Sequence, residues 1–490
     1  MRLLSLIVCI MIAASPAWAQ GSGTQGSDVS TADGIYEGVM RCDSAGSKGP
    51  SSSDAILVPV IQGQARFNSA TESWRLTIAE DGAITVTGSS RAMDVVRPTS
   101  FNGSARAGIM RLQGHRGGRS CFAELSRDAA QRPIVSVQGA YEPAARRAAL
   151  GQPNSGRSDE FVCPPLPVPV EDLRVDGFYA PETNSSIIDP QAMALYREAT
   201  GPLGAFQEGL TRMADRDLTT APRDPKISGC ALSWLDSWAR AGALLGPLES
   251  RQSRFERKWF TSTVAIVYHQ LRLDGVPGTP AEASRIQAWM RNLAYAVLPD
   301  YALTATDTAS GRMSSARNNH LNWAALMAVA VGKATDDAAL LDWGVARALL
   351  ALREVDAEGY LPLELQRRSK ARHYHLFAVK PVVMIAEMVM PDGVDLYKAE
   401  NGALRRLARR CVLGLADPSG FAERAGATQE FFQRDSLSGS DIAWLEPFDA
   451  RFPSADQTDL LIKHRSVRDR RLGGDMTRRF SPLPVVRTSN

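Results

Sequence analysis

Hydrophobic and polar positions along this chain follow two different periods. Up to about residue 150 the period is two. Trp74, Leu76 and Ile78 alternate with polar residues, Glu80-Asp81-Gly82 supplies a turn, and Ile84 and Val86 resume the alternation, which predicts a β-hairpin. Short apolar runs at 56–61, 108–112, 121–125 and 134–137, separated by Gly and Ser, extend the hairpin into a small β domain over residues 31–150, a sandwich or barrel. Residues 151–170 end in Cys163-Pro164-Pro165-Leu166-Pro167-Val168-Pro169, which cannot form a helix and reads as an extended linker.

From 171 to about 482 the period is helical. In 230–246, Ala231, Leu235, Trp238, Gly242 and Leu245 share one stripe, closed by Gly246-Pro247, and the next helix puts Phe260, Val264, Val267 and Leu271 on one face. Further helical segments follow at 281–297, 322–331, 336–355, 381–390 and 404–415. The loops between them are short, so successive helices are antiparallel neighbours and the predicted fold is an α/α toroid with a cleft at its loop ends.

Composition narrows the setting. The 490 residues exceed one ordinary core, in keeping with two domains. Fifty-six basic and 53 acidic side chains are interleaved, which argues against nucleic-acid binding as the main task. Arg2, the apolar run 3–14 and Ala17-Trp18-Ala19 read as a signal peptide over residues 1–19, too short to span a membrane, so an exported, periplasmic protein without membrane insertion is expected. Five cysteines remain beyond it. Cys42 and Cys121 fall in strand-like segments and are candidates to pair. Cys163 and Cys230 flank the entry to the toroid and are predicted to form a disulfide, with Cys411 a free thiol inside its helix. No cysteine spacing suggests a metal site.

The chemistry gathers at two polar ends. One is Arg317-Asn318-Asn319-His320; the other is Arg367-Arg368-Ser369-Lys370-Ala371-Arg372-His373-Tyr374-His375. Between them Leu340, Leu341, Val345, Ala348 and Leu352 mark a scaffold helix. Asn before a helix is also a favoured cap, and a basic run is most often a solvated face. Together, though, amides, imidazoles, a phenol and guanidinium groups can bind a carboxylate and move a proton beside it. Arg367 and Tyr374, seven apart, would share one helical face.

Three stretches extend this pattern: Asn318-Asn319-His320-x-x-Trp323-Ala324-Ala325, then Asp356-x-x-Gly359-Tyr360-Leu361-Pro362-x-Glu364-Leu365-x-Arg367-Arg368, then Tyr374-His375. With Cys230-Ala231-Leu232-x-Trp234, Trp238-Ala239-x-Ala241-Gly242-Ala243-Leu244, Gly393-Val394-Asp395-Leu396, Trp444-Leu445-Glu446-Pro447 and Arg471-Leu472-Gly473-Gly474 in the same order, the chain resembles the alginate lyase family over about residues 163–480. That resemblance implies an incomplete α/α toroid and cleavage of an anionic polysaccharide by β-elimination. A base takes the C5 proton of a uronate and an acid protonates the O4 leaving group, with no cofactor or metal. It implies that Asn319 and Arg367 bind the carboxylate, that His320 neutralises it or acts as base, and that Tyr374 is the acid and a candidate base. Asn318, Arg368, Tyr179 and Trp323 would contact substrate, and Arg471 would grip a neighbouring uronate. Where some alginate-cleaving members carry a lysine, Phe178 stands here.

The β domain lies outside the resemblance and is a candidate contact with exopolysaccharide export machinery. Two other classes compete: a non-catalytic polyuronate-binding protein, and a glycoside hydrolase needing two carboxylic acids, for which Asp356, Glu358 and Glu364 are available but sit where the resemblance makes them structural.

Overall fold

The computed structural model describes residues 32, 34–43, 51–60, 63–68, 72–92, 95–127, 160–180, 188–220, 223–302, 315–430 and 436–481. The predicted signal peptide and the strand expected at 134–137 lie outside them. Alternating sequence becomes eight strands: β1 (Gly34–Cys42), β2 (Ser52–Val60), β3 (Gln64–Asn68), β4 (Glu72–Ile78), β5 (Ala83–Ala92), β6 (Val95–Arg106), β7 (Ile109–Arg116) and β8 (Arg119–Arg127). They form one antiparallel sheet in the order β2-β1-β8-β7-β6-β5-β4-β3, curled until its edge strands β2 and β3 touch. A barrel-like meander, rather than a two-sheet sandwich, is the outcome. Leu76, Ile78, Ile84, Val86, Phe101, Met110, Leu112, Ala123 and Leu125 fill its inside, as the period of two requires. Gly114 lets strands β6 and β7 close up, since a Cβ there would lie 2.0 Å from the Ser100 carbonyl oxygen. Register sets Cys42 opposite Cys121, and the two are bonded.

The helical part is built from α1 (Pro190–Thr219), α2 (Pro225–Arg240), α3 (Arg251–Leu273), α4 (Pro280–Val297), α5 (Asn319–Thr335), α6 (Ala338–Arg353), α7 (Ala371–Val389) and α8 (Ala399–Ala416). Each of the first six starts at a residue whose side chain accepts backbone N–H groups: Asp189, Asp224, Ser250, Thr279, Asn318 and Asp337. Contacts run α1 to α3 to α5 to α7 in an inner layer, with α2 against α4 and α6 against α8 outside, so each hairpin contributes one inner and one outer helix. Inner helices are therefore parallel to one another. The expected 336–355 helix starts at Ala338, because Asp336 ends α5 in the left-handed region (φ 55°) and Asp337 caps α6. The one expected from Pro381 starts ten residues earlier and runs through that proline, its interior faces being buried. The stretch 368–392 is apolar and long enough to cross a membrane, yet 83% of its apolar window is buried inside the toroid.

An extended segment, 160–180, straps the two parts together. Cys163 is bonded to Cys230 on α2, Trp238 donates its indole N–H to the Pro167 carbonyl (3.0 Å), Leu244 N–H donates to Val170 O (2.8 Å) and Ser253 Oγ donates to Val175 O (3.1 Å). Lacking partners of its own, this backbone is satisfied by the helices it crosses. On the other side Glu37 of β1 accepts from the Trp343 indole (2.8 Å) and pairs with Arg347, both on α6. Cys411 is a buried free thiol in α8.

Candidate active site

A cleft of about 1160 Å³ opens where the inner helices begin. Met193, Tyr196 and Arg197 come from the first turns of α1, Arg251, Gln252, Phe255 and Trp259 from α3, Asn319 and His320 from α5, and His373, Tyr374 and Phe377 from α7. Parallel inner helices thus turn four N-termini, each with a partial positive charge, toward one space. Seven arginines (Arg197, Arg212, Arg251, Arg367, Arg468, Arg470, Arg471) and Lys380 line it, against Asp176, Glu208, Asp441 and Asp469. Some are neutralised locally: Lys380 pairs with Asp469 (3.1 Å) and Arg468 with Asp215 (3.0 Å). The balance favours a polyanion.

Asn319, His320, Arg367 and Tyr374 all line this cleft. Asn319 is held from below by Glu364, whose Oε1 accepts both its backbone N–H (2.6 Å) and its Nδ2 (2.9 Å). Arg367 reaches the same carboxylate (3.7 Å) and lays its guanidinium over the Tyr374 ring, 4.4 Å from the centroid. Burial pushes the Glu364 carboxyl up, while Arg367 and the Asn319 donors pull it down. The Tyr179 hydroxyl, delivered by the strap, is hydrogen-bonded to Tyr374, and burial followed by Tyr374 itself holds the Tyr179 phenol well above its usual value. Two phenols and a guanidinium therefore meet at one point, in the cleft that His320 and Asn319 also line.

His320 is stacked on Phe255 (centroids 3.8 Å apart) and flanked by Trp259 (6.0 Å). Burial, then the positive charges of Lys258, Arg367, Arg251 and Arg471, hold it well below the usual histidine value, so its ring is neutral. Arg471 lies over Trp259 (4.1 Å) and Phe377 (5.8 Å), a flat cationic shelf in the cleft wall. Phe178 packs on Tyr179 (4.7 Å) and Tyr196 (4.8 Å), making an aromatic lobe where a lysine was the alternative.

Three sequence expectations are corrected. Trp323 is fully buried, donates its indole N–H to the Phe377 carbonyl (3.1 Å) and backs the cleft without lining it. Arg368 is exposed, turned to the Gly426 carbonyl (3.3 Å) and away from the cleft, because its left-handed backbone (φ 52°) reverses the chain. For the same reason Arg367 and Tyr374 do not share a helical face; a turn between them, not helical periodicity, brings them together. Asn318 caps α5 by accepting from His320 N–H (3.0 Å) and borders the cleft. His375 is a structural histidine: its Nε2 accepts from Leu361 N–H (2.8 Å) and its Nδ1 lies 2.8 Å from the Ala371 carbonyl.

Sequence reasoning missed Lys258, Arg251, Phe255, Trp259, Tyr196 and Phe377. Along α3 the charged run 256–258 looks like a solvated face. The signal that betrays it is that no charged residue follows from Trp259 to Leu271, as a solvated helix face would require, and the stretch is in fact largely buried.

Comparison with known proteins places this geometry. The profile of a family described as Alginate lyase matches residues 175–421, leaving the curled sheet ahead of the match. A "Polysaccharide lyase" of Stenotrophomonas maltophilia (strain K279a) is 35% identical over 318 residues, 64% of this chain and 89% of the relative. An "Alginate lyase" of Azotobacter vinelandii (strain DJ / ATCC BAA-1303) is 31% identical over 355 residues, 71% and 90% respectively. Among solved structures, alginate lyase A1-III from Sphingomonas species A1 superposes with a TM-score of 0.56 over 71% of this chain and 98% of its own, at 24% identity. A variant of that lyase complexed with tetrasaccharide gives 0.58 over 70% and 94%. The toroid is therefore of that fold.

Proposed function

The chain belongs to the alginate lyase family, and from this premise we propose a periplasmic lyase that cleaves a β-1,4-linked polyuronate by β-elimination at the cleft of Asn319, His320, Arg367 and Tyr374. One observation carries the reading: the five groups Tyr179, Asn319, His320, Arg367 and Tyr374 line a single cation-rich cleft, with Tyr179 and Arg367 both in contact with Tyr374. A C5 proton beside an ionised carboxylate is weakly acidic. Asn319 Nδ2 and the Arg367 guanidinium, fixed in advance by Glu364, supply donors to that carboxylate, so charge developing on it meets partners already in place. Tyr374 accepts the C5 proton on its phenol oxygen as its own proton passes to O4, so that the C4–O4 bond breaks, the C4=C5 double bond forms and the phenol is restored. Both transfers fall within reach of one phenol only if the C5 hydrogen and O4 lie on the same face of the sugar. That is so in mannuronate and glucuronate, not in guluronate or galacturonate. Polymannuronate or polyglucuronate is therefore the proposed substrate, met during synthesis or clearance of an exopolysaccharide. Two disulfides support export to an oxidising compartment.

The test is to incubate the protein with polymannuronate, polyglucuronate, polyguluronate and pectate and follow the absorbance of the unsaturated sugar end. Faster initial rates on the first two are expected. A clear preference for either of the others would overturn the one-sided mechanism, and binding without product on all four would favour a non-catalytic binding protein.

A further inference from the structure

Behind His320 lies a group that the reaction scheme above does not use. Lys258 is fully buried on α3, with its ammonium 3.3 Å from His320 Nδ1, 3.2 Å from the His320 carbonyl oxygen and 2.6 Å from the Tyr301 hydroxyl. Two oxygens and a ring nitrogen surround it, as many partners as an ammonium has protons. The faces of Phe255 (4.7 Å), Trp259 (5.3 Å) and Tyr301 (5.0 Å) enclose the rest. Burial, with Arg471 adding to it, holds Lys258 well below the usual lysine value against the pull of Asp300 and Glu256; the three ring faces, which attract a cation electrostatically, favour the charged form. A neutral amine would have only two protons to give and would turn its lone pair to the Tyr301 hydroxyl, whereas an ammonium donates to all three partners.

From this arrangement we infer that Lys258 is a positioning residue, which fixes His320 as the tautomer with bare Nδ1 and protonated Nε2. An ammonium has no acceptor to offer, so the ring nitrogen facing it must be the unprotonated one. The neutral ring then carries its hydrogen on Nε2, the nitrogen turned away from the buried lysine. Stacking on Phe255 and Trp259 keeps the ring from flipping. The charges that act most strongly on His320 are those of Lys258 and Arg251 from α3, Arg367 from the turn before α7, and Arg471 from the 3-10 turn at 470–472, and each disfavours a second proton on the ring; the Glu364 carboxylate on the facing side is engaged by Asn319 and Arg367. Resting on the lyase reading, the consequence is a division of labour: Nε2–H is a donor to the uronate carboxylate, and the C5 proton is left to Tyr374.

The decisive experiment needs no substrate. In the intact protein labelled with ¹⁵N-histidine, the His320 signal, identified by its loss in His320→Ala, is expected to show an unprotonated Nδ1 and a protonated Nε2 at neutral pH. A protonated Nδ1, alone or as imidazolium, would overturn the inference. In Lys258→Met the signal should move toward a mixture of tautomers, and kcat should fall about 10–100-fold, in the range of lost outer-shell partners, with KM changed only a few-fold. An unchanged tautomer in a folded variant would equally overturn it. If that variant does not fold, the wild-type spectrum decides. An inactive protein that shows the stated tautomer would sink the lyase reading and leave the Lys258–His320 pairing standing.

Discussion

The Arg367 guanidinium lies flat over the Tyr374 ring, 4.4 Å from its centre, and the same arginine reaches Glu364, which holds Asn319. One carboxylate thus sets the position of a phenol and of an amide that are 55 residues apart in sequence, counting from 319 to 374. Removing Glu364 should accordingly hurt turnover although it touches no substrate. Glu364→Ala leaves the Asn319 N–H groups without their acceptor and Arg367 without its ion-pair partner, and the unpaired donors alone cost about 1–3 kcal/mol of stability. Chemical denaturation and steady-state kinetics would report both losses; an unaltered kcat would show that Asn319 does not depend on its support.

Tyr374→Phe and His320→Ala remove groups that handle or steady charge but little packing. Each should lower kcat about 10²–10⁴-fold with the near-ultraviolet circular dichroism unchanged. Near-normal turnover in either variant refutes its assignment.

Arg471 and Arg368 should part company. Arg471→Ala deletes a cation shelved on Trp259 and Phe377 in the cleft, and KM should rise about 10-fold or more, the worth of a charged hydrogen bond. Arg368→Ala, on the far side of the turn, should leave KM within about threefold, as befits an exposed substitution. Equal effects would mean that the cleft extends beyond the residues given above.

Acid should weaken the fold through buried histidines. His269 and His375 are both held down to about 4, chiefly by burial, against an ordinary value near 6.5. Between those values the unfolded chain takes up protons that the native state refuses, so stability is full above pH 6.5 and is lost as pH falls toward 4. The slope is on the order of 1 kcal/mol per pH unit for each residue. Urea midpoints measured from pH 7 to 5 should fall in wild type and fall less in His375→Asn. Parallel slopes would rule His375 out.

How far the sequence could be read depended on whether a feature is periodic or made by a turn. Leu76, Ile78, Ile84 and Val86 announced a sheet with one buried face, and Trp238, Phe260 and Val264 announced helices, because a period fixes which face is inward. Both disulfides followed from where those elements meet. Arg368 was misplaced because its left-handed backbone has no glycine to signal it. Trp323 was misplaced because, although its i,i+3 spacing sets it beside His320 on α5, Phe377 of α7 covers its ring, and a partner from another helix leaves no periodic signal. Lys258 was missed because a cation in a charged run looks solvated until three aromatic rings from two separate segments close around it.

Glu37 ties the curled sheet to the toroid through Trp343 and Arg347, while Ile35 and Leu57 belong to the helical core and not to the sheet's own. Neither unit can melt with the other intact without exposing those apolar side chains and leaving the buried Arg347 guanidinium without the Glu37 carboxylate. In the language of cooperativity, the sheet and the ring share a boundary term that penalises partly folded states. Calorimetry on the whole chain should therefore show one transition, and Glu37→Ala should split it in two by letting the sheet melt first.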